Sequence, residues 1–100
     1  MELNELRMQI DDIDSKLVDL FVKRMAISAQ VAACKKENGM PIYVPAREQE
    51  KLHQLSNQAG AGMESYTREL YSTIFRLSRS YQEKCNQDST PQHQHTVDSF

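Results

Sequence analysis

Cysteine, glycine and proline are scarce in this chain of 100 residues, and tryptophan is absent. The two cysteines, Cys34 and Cys85, are too few and too far apart for a disulfide framework or a zinc site. We therefore expect two free thiols, with Cys34 in the core, in a reducing cytoplasm. The three glycines form no phosphate-binding loop.

Long apolar runs and an excess of basic charge are also missing. No run of about 18 apolar residues could span a membrane, and no basic segment followed by an apolar one resembles a secretion leader. The formal net charge of -2 provides no basic surface for nucleic acid. The composition, with 39% apolar and 26% charged residues, is ordinary for a single cytoplasmic domain.

Apolar residues repeat at steps of three and four along the first third of the chain, which predicts a long helix from about Leu3 to Glu37. The repeating residues are Leu3, Leu6, Ile10, Ile13, Leu17, Leu20, Ile27, Val31 and Cys34. Arg24 occupies the one skipped position. A buried guanidinium needs a pairing carboxylate or an anionic ligand, so Arg24 is the first candidate for a functional residue.

Turn residues divide the rest of the chain. Asn38-Gly39 is typical of a left-handed helix cap, and Pro45 suits the first turn of a second helix, from about Ala46 to Gln58. A third helix is predicted from about Glu64 to Lys84. We therefore predict an all-α domain over residues 1–85, and a disordered polar tail or linker over residues 86–100.

The lengths of these helices predict a dimer. A first helix of about 35 residues is on the order of 50 Å long, and the two shorter helices cannot cover its apolar face. Since monomers rarely leave such a large apolar surface in water, we expect two copies to form an intertwined homodimer.

Cations on the first helix suggest where an anion would bind. Arg24 and Lys35 are eleven residues apart, about three turns, so both project from nearly the same face. Arg7 lies about 25 Å from Arg24 along the helix axis and cannot reach the same small ligand within one chain. In an antiparallel dimer, Arg7 of the second copy could reach it.

Four further polar residues complete the candidate site. Arg47 and Glu48 open the second helix, and Ser78 and Gln82 share one face of the third. Such a set suits a small dicarboxylate that carries a hydroxyl group. The set contains no nucleophile–base pair and no group of side chains that would together hold a metal, so we expect no cofactor and no metal, and catalysis by positioning and electrostatics.

Spaced together, these residues resemble the all-helical (AroQ-type) chorismate mutase family. The shared pattern covers about residues 3–84 and reads Arg7-x2-Ile10-x2-Ile13-Asp14, Leu17-x2-Leu20-x3-Arg24, Val31-Ala32-x2-Lys35, Pro41-Ile42-x4-Arg47-Glu48 and Ser78-x3-Gln82. The resemblance implies a dimer of three-helix chains that rearranges chorismate to prephenate in phenylalanine and tyrosine biosynthesis.

The resemblance also implies roles for individual residues. Arg24 and Ser78 would hold the ring carboxylate of chorismate. Arg7 of the other chain would bind the enolpyruvyl carboxylate together with Lys35. Lys35 and Gln82 would donate hydrogen bonds to the ether oxygen. Glu48 would accept one from the ring hydroxyl, and Arg47 would line the site.

One position departs from the family pattern. Many members carry an aspartate three residues before the Arg-Glu pair, whereas this chain has Val44. A contact to the substrate hydroxyl is therefore expected to be missing, or to be made by the backbone alone.

Three other interpretations remain open from the sequence. The chain could be an isochorismate–pyruvate lyase, which shares the fold and much of the pocket, or a helical dimerisation or regulatory module without catalysis. Alternatively, Arg24 could pair with Glu48 or another carboxylate and need no ligand.

The remaining charged residues are predicted to form a solvated face: Lys23, Glu50, Lys51, Arg76 and Arg79.

Overall fold

The computed structural model of the chain describes residues 2–88, except for the side chain of Asp88. Within this range the chain forms three α-helices and no strand: α1 (Leu3–Glu37), α2 (Pro45–Ala59) and α3 (Glu64–Asp88). The predicted all-α, three-helix fold with a long first helix is therefore confirmed. No helix in residues 2–88 is long and apolar enough to cross a membrane.

A glycine cap ends α1. Gly39 has a φ of 64°, and the backbone N–H of Met40 donates to the Lys35 carbonyl at 2.8 Å. The Gly39 N–H donates to the Lys36 carbonyl at 3.3 Å. This pair of bonds, closed by a residue in the left-handed region, is the Schellman arrangement. It confirms the predicted cap at Asn38-Gly39 and turns the chain into the connector, residues 40–44.

Helix α3 packs against both α1 and α2. Its end at Asp88 lies four residues beyond the predicted end at Lys84. The last turn is held by α1, because the Asn86 side chain donates to the Ala32 carbonyl at 3.3 Å and the Lys36 ammonium donates to the Asn86 carbonyl at 2.9 Å. Residues 86–88 of the predicted tail are therefore helical, and residues 89–100 lie outside the described residues.

The buried interior of residues 2–88 is small, and more than half of its residues are polar. Its buried apolar residues are Ala32, Leu52 and Phe75, and its buried polar residues are Ser28, Ser56, Ser78 and Gln82. So few apolar side chains offer little hydrophobic stabilisation against the entropy lost on folding. The single chain thus gains little stability from its own core.

The apolar face of α1, defined by the repeating residues named above, is exposed to solvent in the single chain. Its residues from Leu3 to Val31 are between 39% and 60% exposed. Ser28 and Ala32 contact α3 instead, and they lie about 100° around the helix from Ile27 and Val31. Cys34 lies about 200° from Ala32, so the prediction that it belongs to the core is wrong: its thiol is exposed.

An apolar groove of about 480 Å³ runs between α1 and α3, beside Arg24. Its lining residues are Leu17, Val18, Leu20, Phe21, Arg24, Leu70, Tyr71, Thr73, Ile74 and Leu77. The groove continues the apolar face of α1 onto α3, so apolar surface of both helices lies open on one side of the chain.

Candidate active site

A cavity of about 170 Å³ opens where all three helices and the connector meet. Six of the seven residues predicted for the site line it: Arg24, Lys35, Arg47, Glu48, Ser78 and Gln82. The other lining residues are Ile42, Val44, Lys51, Phe75 and Arg79. The packing of α1 and α2 on α3 thus brings together site residues that are far apart in the sequence.

The Lys35 ammonium, half-buried in the last turn of α1, joins this helix to the connector. Its Nζ donates a hydrogen bond to the Ile42 carbonyl at 2.9 Å. An ammonium has three protons, so this bond leaves two donors for a ligand in the cavity. Lys35 is therefore a cation held in place at the cavity.

Ser28, Ser78 and Gln82 form a buried hydroxyl–amide cluster between α1 and α3. The Gln82 Nε2 donates to the Ser28 Oγ at 2.6 Å and to the Ser78 Oγ at 3.2 Å. The two serine oxygens are 2.5 Å apart. The Gln82 Oε1 is buried and has no hydrogen-bond partner. Each of the three residues is at most 8% exposed, so the cluster is shielded from water.

Glu48 is held by Arg79 and not by Arg24. One Arg79 nitrogen, Nη1, contacts both oxygens of the Glu48 carboxylate, at 2.5 Å for Oε2. The same guanidinium stacks on the Tyr43 ring, 4.4 Å from its centroid. The prediction that Arg79 belongs to a solvated face is therefore wrong, because the connector and α2 enclose it.

Arg24 is half-buried at the edge of the cavity, with its guanidinium 5.5 Å from the centroid of the Phe75 ring. Within residues 2–88 it makes no ion pair, and Glu48 is engaged by Arg79. The interpretation in which Arg24 only neutralises Glu48 is thus contradicted. An aromatic face attracts the guanidinium without neutralising it, so its charge remains available to an anion.

Arg47 and Lys51 contribute charge at the outer side of the cavity. The Arg47 side chain is 63% exposed and forms a 3.5 Å ion pair with Glu50. Lys51 is half-buried and was also predicted on the solvated face. Lys51 lies four residues after Arg47 on α2, so both side chains are on one side of the helix. The sequence already contained this spacing, which could have predicted Lys51 at the site.

Arg7 lies outside the cavity. It is exposed in the second turn of α1, far from the C-terminal half of the helix that lines the site. Seventeen residues separate it from Arg24, which corresponds to about 25 Å along the axis. A single chain therefore does not bring Arg7 to this site.

The charge balance of the cavity differs from that of the whole chain. Five cationic residues and a single carboxylate line it, although the chain carries a net charge of -2. Excess positive charge in a partly closed space favours anions. No group of three or more metal-ligating side chains occurs in residues 2–88.

The pKa of Tyr81, on α3 outside this cavity, is raised. The hydrogen bond with Cys85 contributes most, an electrostatic interaction with the same residue adds to it, and burial contributes least. Cys34 and Cys85 are both free thiols, as predicted. Neither cysteine is among the residues that line the cavity.

Comparison with protein families gives one match over most of the chain. The model of the family described as chorismate mutase type II matches residues 6–83. This range contains the seven residues predicted for the site.

Individual relatives carry related names. The T-protein of Enterobacter agglomerans is 45% identical over 60 residues, which cover 60% of this chain and 16% of that protein. The chorismate mutase of Methanocaldococcus jannaschii is 40% identical over 47 residues, 47% of this chain and 48% of that protein. This chain thus spans less than half the length of these curated relatives.

A solved structure resembles the whole fold. The crystal structure of chorismate mutase from Helicobacter pylori in complex with prephenate superposes with a TM-score of 0.78 and 37% identity. The match covers 88% of this chain and 97% of that one. The likeness therefore extends over all three helices and not only over a local motif.

Proposed function

Since the chain belongs to the chorismate mutase type II family, we propose that it catalyses the rearrangement of chorismate to prephenate, in the biosynthesis of phenylalanine and tyrosine. The reaction needs no cofactor and no metal in this proposal. The free thiols are compatible with a cytoplasmic location.

One observation carries the proposal: the two proposed hydrogen-bond donors to the ether oxygen, Lys35 and Gln82, line the same cavity as the proposed carboxylate ligands Arg24 and Ser78. These four residues come from opposite ends of the sequence. Their convergence in a cavity rich in cations supports a dianionic substrate with a reactive oxygen between its charges.

The proposed mechanism is electrostatic and conformational. In the rearrangement a carbon–oxygen bond breaks while a carbon–carbon bond forms, and negative charge develops on the ether oxygen. A fixed ammonium and amide directed at that oxygen stabilise the transition state more than the ground state. Clamping both carboxylates holds the substrate in the compact shape in which the reacting carbons meet.

The ring hydroxyl is assigned to Glu48. The contact with Arg79 orients the Glu48 carboxylate, so an oxygen of Glu48 can accept a hydrogen bond from the ring hydroxyl. The Val44 side chain offers no second acceptor, because it is apolar.

The working enzyme is proposed to be a homodimer. Arg7 of the second copy would complete the clamp on the enolpyruvyl carboxylate with Lys35, since the Arg7 of the same chain is too distant. The exposed apolar face of α1 and the adjacent apolar groove support this pairing, because they offer the apolar surface that a stable interface requires.

The decisive experiment follows the loss of chorismate absorbance on mixing with the protein and identifies the product. We expect prephenate, with kcat reduced by about 10²- to 10³-fold in Lys35→Ala, because a charged donor to the developing oxyanion is lost. Lys23→Ala is the matched control, since Lys23 is exposed on the same helix and does not line the cavity.

Each contrary outcome has a distinct meaning. Formation of salicylate and pyruvate from isochorismate, without prephenate from chorismate, would identify a lyase. Unchanged chorismate in the presence of the folded protein would contradict the proposal. Equal turnover by Lys35→Ala and Lys23→Ala would contradict the role of Lys35.

A further inference from the structure

Ser28 is a buried hydroxyl on α1 that is not among the residues lining the cavity and has no role in the proposed function. It is 6% exposed, and its Oγ lies 2.6 Å from the Gln82 Nε2 and 2.5 Å from the Ser78 Oγ. A buried hydroxyl is costly unless it is hydrogen-bonded. Both of its partners belong to the proposed site, so what Ser28 does there depends on the hydrogen-bonding pattern of the cluster.

The Gln82 amide makes hydrogen bonds through its nitrogen and none through its oxygen. Its Nε2 donates to both serines, while the buried Oε1 has no partner. In this arrangement both amide protons are directed at the protein and neither is available to a ligand. A buried acceptor without a partner is also unfavourable.

A half-turn of the amide exchanges these roles. The oxygen and the nitrogen of a glutamine side chain are nearly equal in size, so a rotation of the amide by half a turn exchanges their positions without changing the space it fills. A serine hydroxyl can donate as well as accept a hydrogen bond. After the half-turn, Oε1 accepts from a serine hydroxyl and Nε2 has protons free for a ligand. The hydroxyl–amide cluster is therefore able to hold the amide in either orientation.

The proton of Ser28 is the one available for this purpose. In the proposed function the Ser78 hydroxyl donates its single proton to the ring carboxylate of the substrate. When Ser28 in turn donates to Gln82, no proton remains between the two serine oxygens, so their 2.5 Å hydrogen bond is given up and the two oxygens move apart. The Ser28 hydroxyl lies away from the cavity lining and at hydrogen-bond distance from the Gln82 amide.

We propose that Ser28 is a positioning residue, which donates to the Gln82 side-chain oxygen while the Gln82 nitrogen donates to the ether oxygen of chorismate. This inference rests on the proposed function. Ser28 does not touch the substrate; it acts by fixing the amide in the orientation in which the amide can stabilise the transition state.

The first test compares two buried serines. Ser28→Ala is expected to lower kcat about fivefold with KM changed less than about twofold, because a contact made only in the transition state is weakened. Ser56→Ala is the matched control: Ser56 is 2% exposed, and its hydroxyl bonds to the His53 carbonyl outside the cavity. An unchanged kcat in Ser28→Ala, or an equal loss in both variants, would overturn the role.

The second test uses a titratable probe at the same position. The carboxyl introduced by Gln82→Glu can donate to the ether oxygen only when protonated, so turnover is retained below its pKa and lost above it. A serine hydroxyl that donates to the carboxylate lowers this pKa. Adding Ser28→Ala should therefore shift the midpoint of the pH–rate profile upward, by about one unit.

The outcomes separate the two proposals. If the double variant titrates at the same pH as Gln82→Glu alone, the hydrogen bond from Ser28 is not made and only the positioning role is overturned. If the unaltered protein does not turn over chorismate, the proposed function and the role of Ser28 both fail.

Discussion

At the scale of single residues, Arg79 connects three parts of the proposed site. Its guanidinium contacts the Glu48 carboxylate on α2 and stacks on Tyr43 in the connector. The side chains of Arg79 and Glu48 are only 27% and 22% exposed. Such partly shielded pairs hold their geometry better than surface ion pairs, so Arg79 fixes the carboxylate proposed to bind the substrate hydroxyl.

Replacing Arg79 with methionine should weaken substrate binding more than it weakens the fold. Arg79→Met keeps a long apolar side chain but removes the ion pair, so we expect KM to rise about threefold to tenfold and the free energy of unfolding to fall by about 1 kcal/mol. Steady-state kinetics and denaturant unfolding measure the two effects.

Arg76→Met provides the control, because Arg76 is exposed one turn earlier on α3 and does not line the cavity. It should change stability by less than about 0.5 kcal/mol. Equal effects of the two substitutions on KM would show that Arg79 acts only through the total charge of the protein.

Residue spacing predicted part of this site and missed another part. Six predicted residues line one cavity because each belongs to a pattern within its own helix, which spacing describes. Ser28 and Arg79 were missed because their importance lies in contacts between helices: Ser28 with Gln82, and Arg79 with Glu48 and Tyr43. Periodicity in one helix carries no information about which polar side chains meet across an interface.

At the scale of helices, the start of α2 lacks a side-chain cap. Val44 occupies the N-cap position with extended φ and ψ of -125° and 91°, and makes no side-chain hydrogen bond. Its carbonyl accepts from the backbone N–H groups of Arg47 and Glu48. Valine is among the least favourable N-cap residues, because it cannot accept a bond from the first free N–H groups of the helix.

A capping residue at this position should therefore stabilise the chain. Val44→Asp and Val44→Asn are both expected to raise the free energy of unfolding by about 1 kcal/mol, since either side chain can accept from an N–H in the first turn. Denaturant unfolding would measure the gain. Val44→Ala, which also lacks an acceptor, should show none, and a gain restricted to the aspartate would point to charge instead of capping.

The bounds of the helices were predictable where local residues set them. α1 ends at the predicted Asn38-Gly39 cap, and α2 begins at Pro45, one residue before the predicted start. α3 extends to Asp88 because Asn86 and Lys36 bond its last turn to α1. Contacts of this kind depend on packing, which the local sequence does not encode.

At the scale of the whole molecule, the position of Arg7 has the strongest implication. It is on the same helix as Arg24 but about 25 Å away, and it does not line the cavity. If the proposed dimer supplies it, each site combines Arg24 of one chain with Arg7 of the other. A defect in one chain can then be complemented by the other.

Mixing two inactive variants should therefore restore activity. Arg7→Ala and Arg24→Ala each remove one cation from both sites, but a mixed dimer has one site with both arginines. Random exchange should recover about a quarter of the unaltered activity, since half of the dimers are mixed and one of their two sites is intact. Turnover is measured after unfolding and refolding the variants together.

The comparison includes its own control. Each variant refolded alone should stay inactive at the same concentration. No recovery from the mixture, with mixed dimers demonstrated by native mass spectrometry, would contradict the shared site.

The scarcity of buried apolar side chains in one chain has a consequence for how much of the proposed dimer accumulates. If the proposed dimer forms, a newly made subunit would expose the apolar face of α1 until it pairs with another, and during that interval proteases could attack it. The rate at which subunits pair depends on the square of the subunit concentration. The rate at which unpaired subunits are degraded depends only on its first power. The amount of enzyme would then rise more steeply than the rate of its synthesis, so that weak expression yields disproportionately little enzyme.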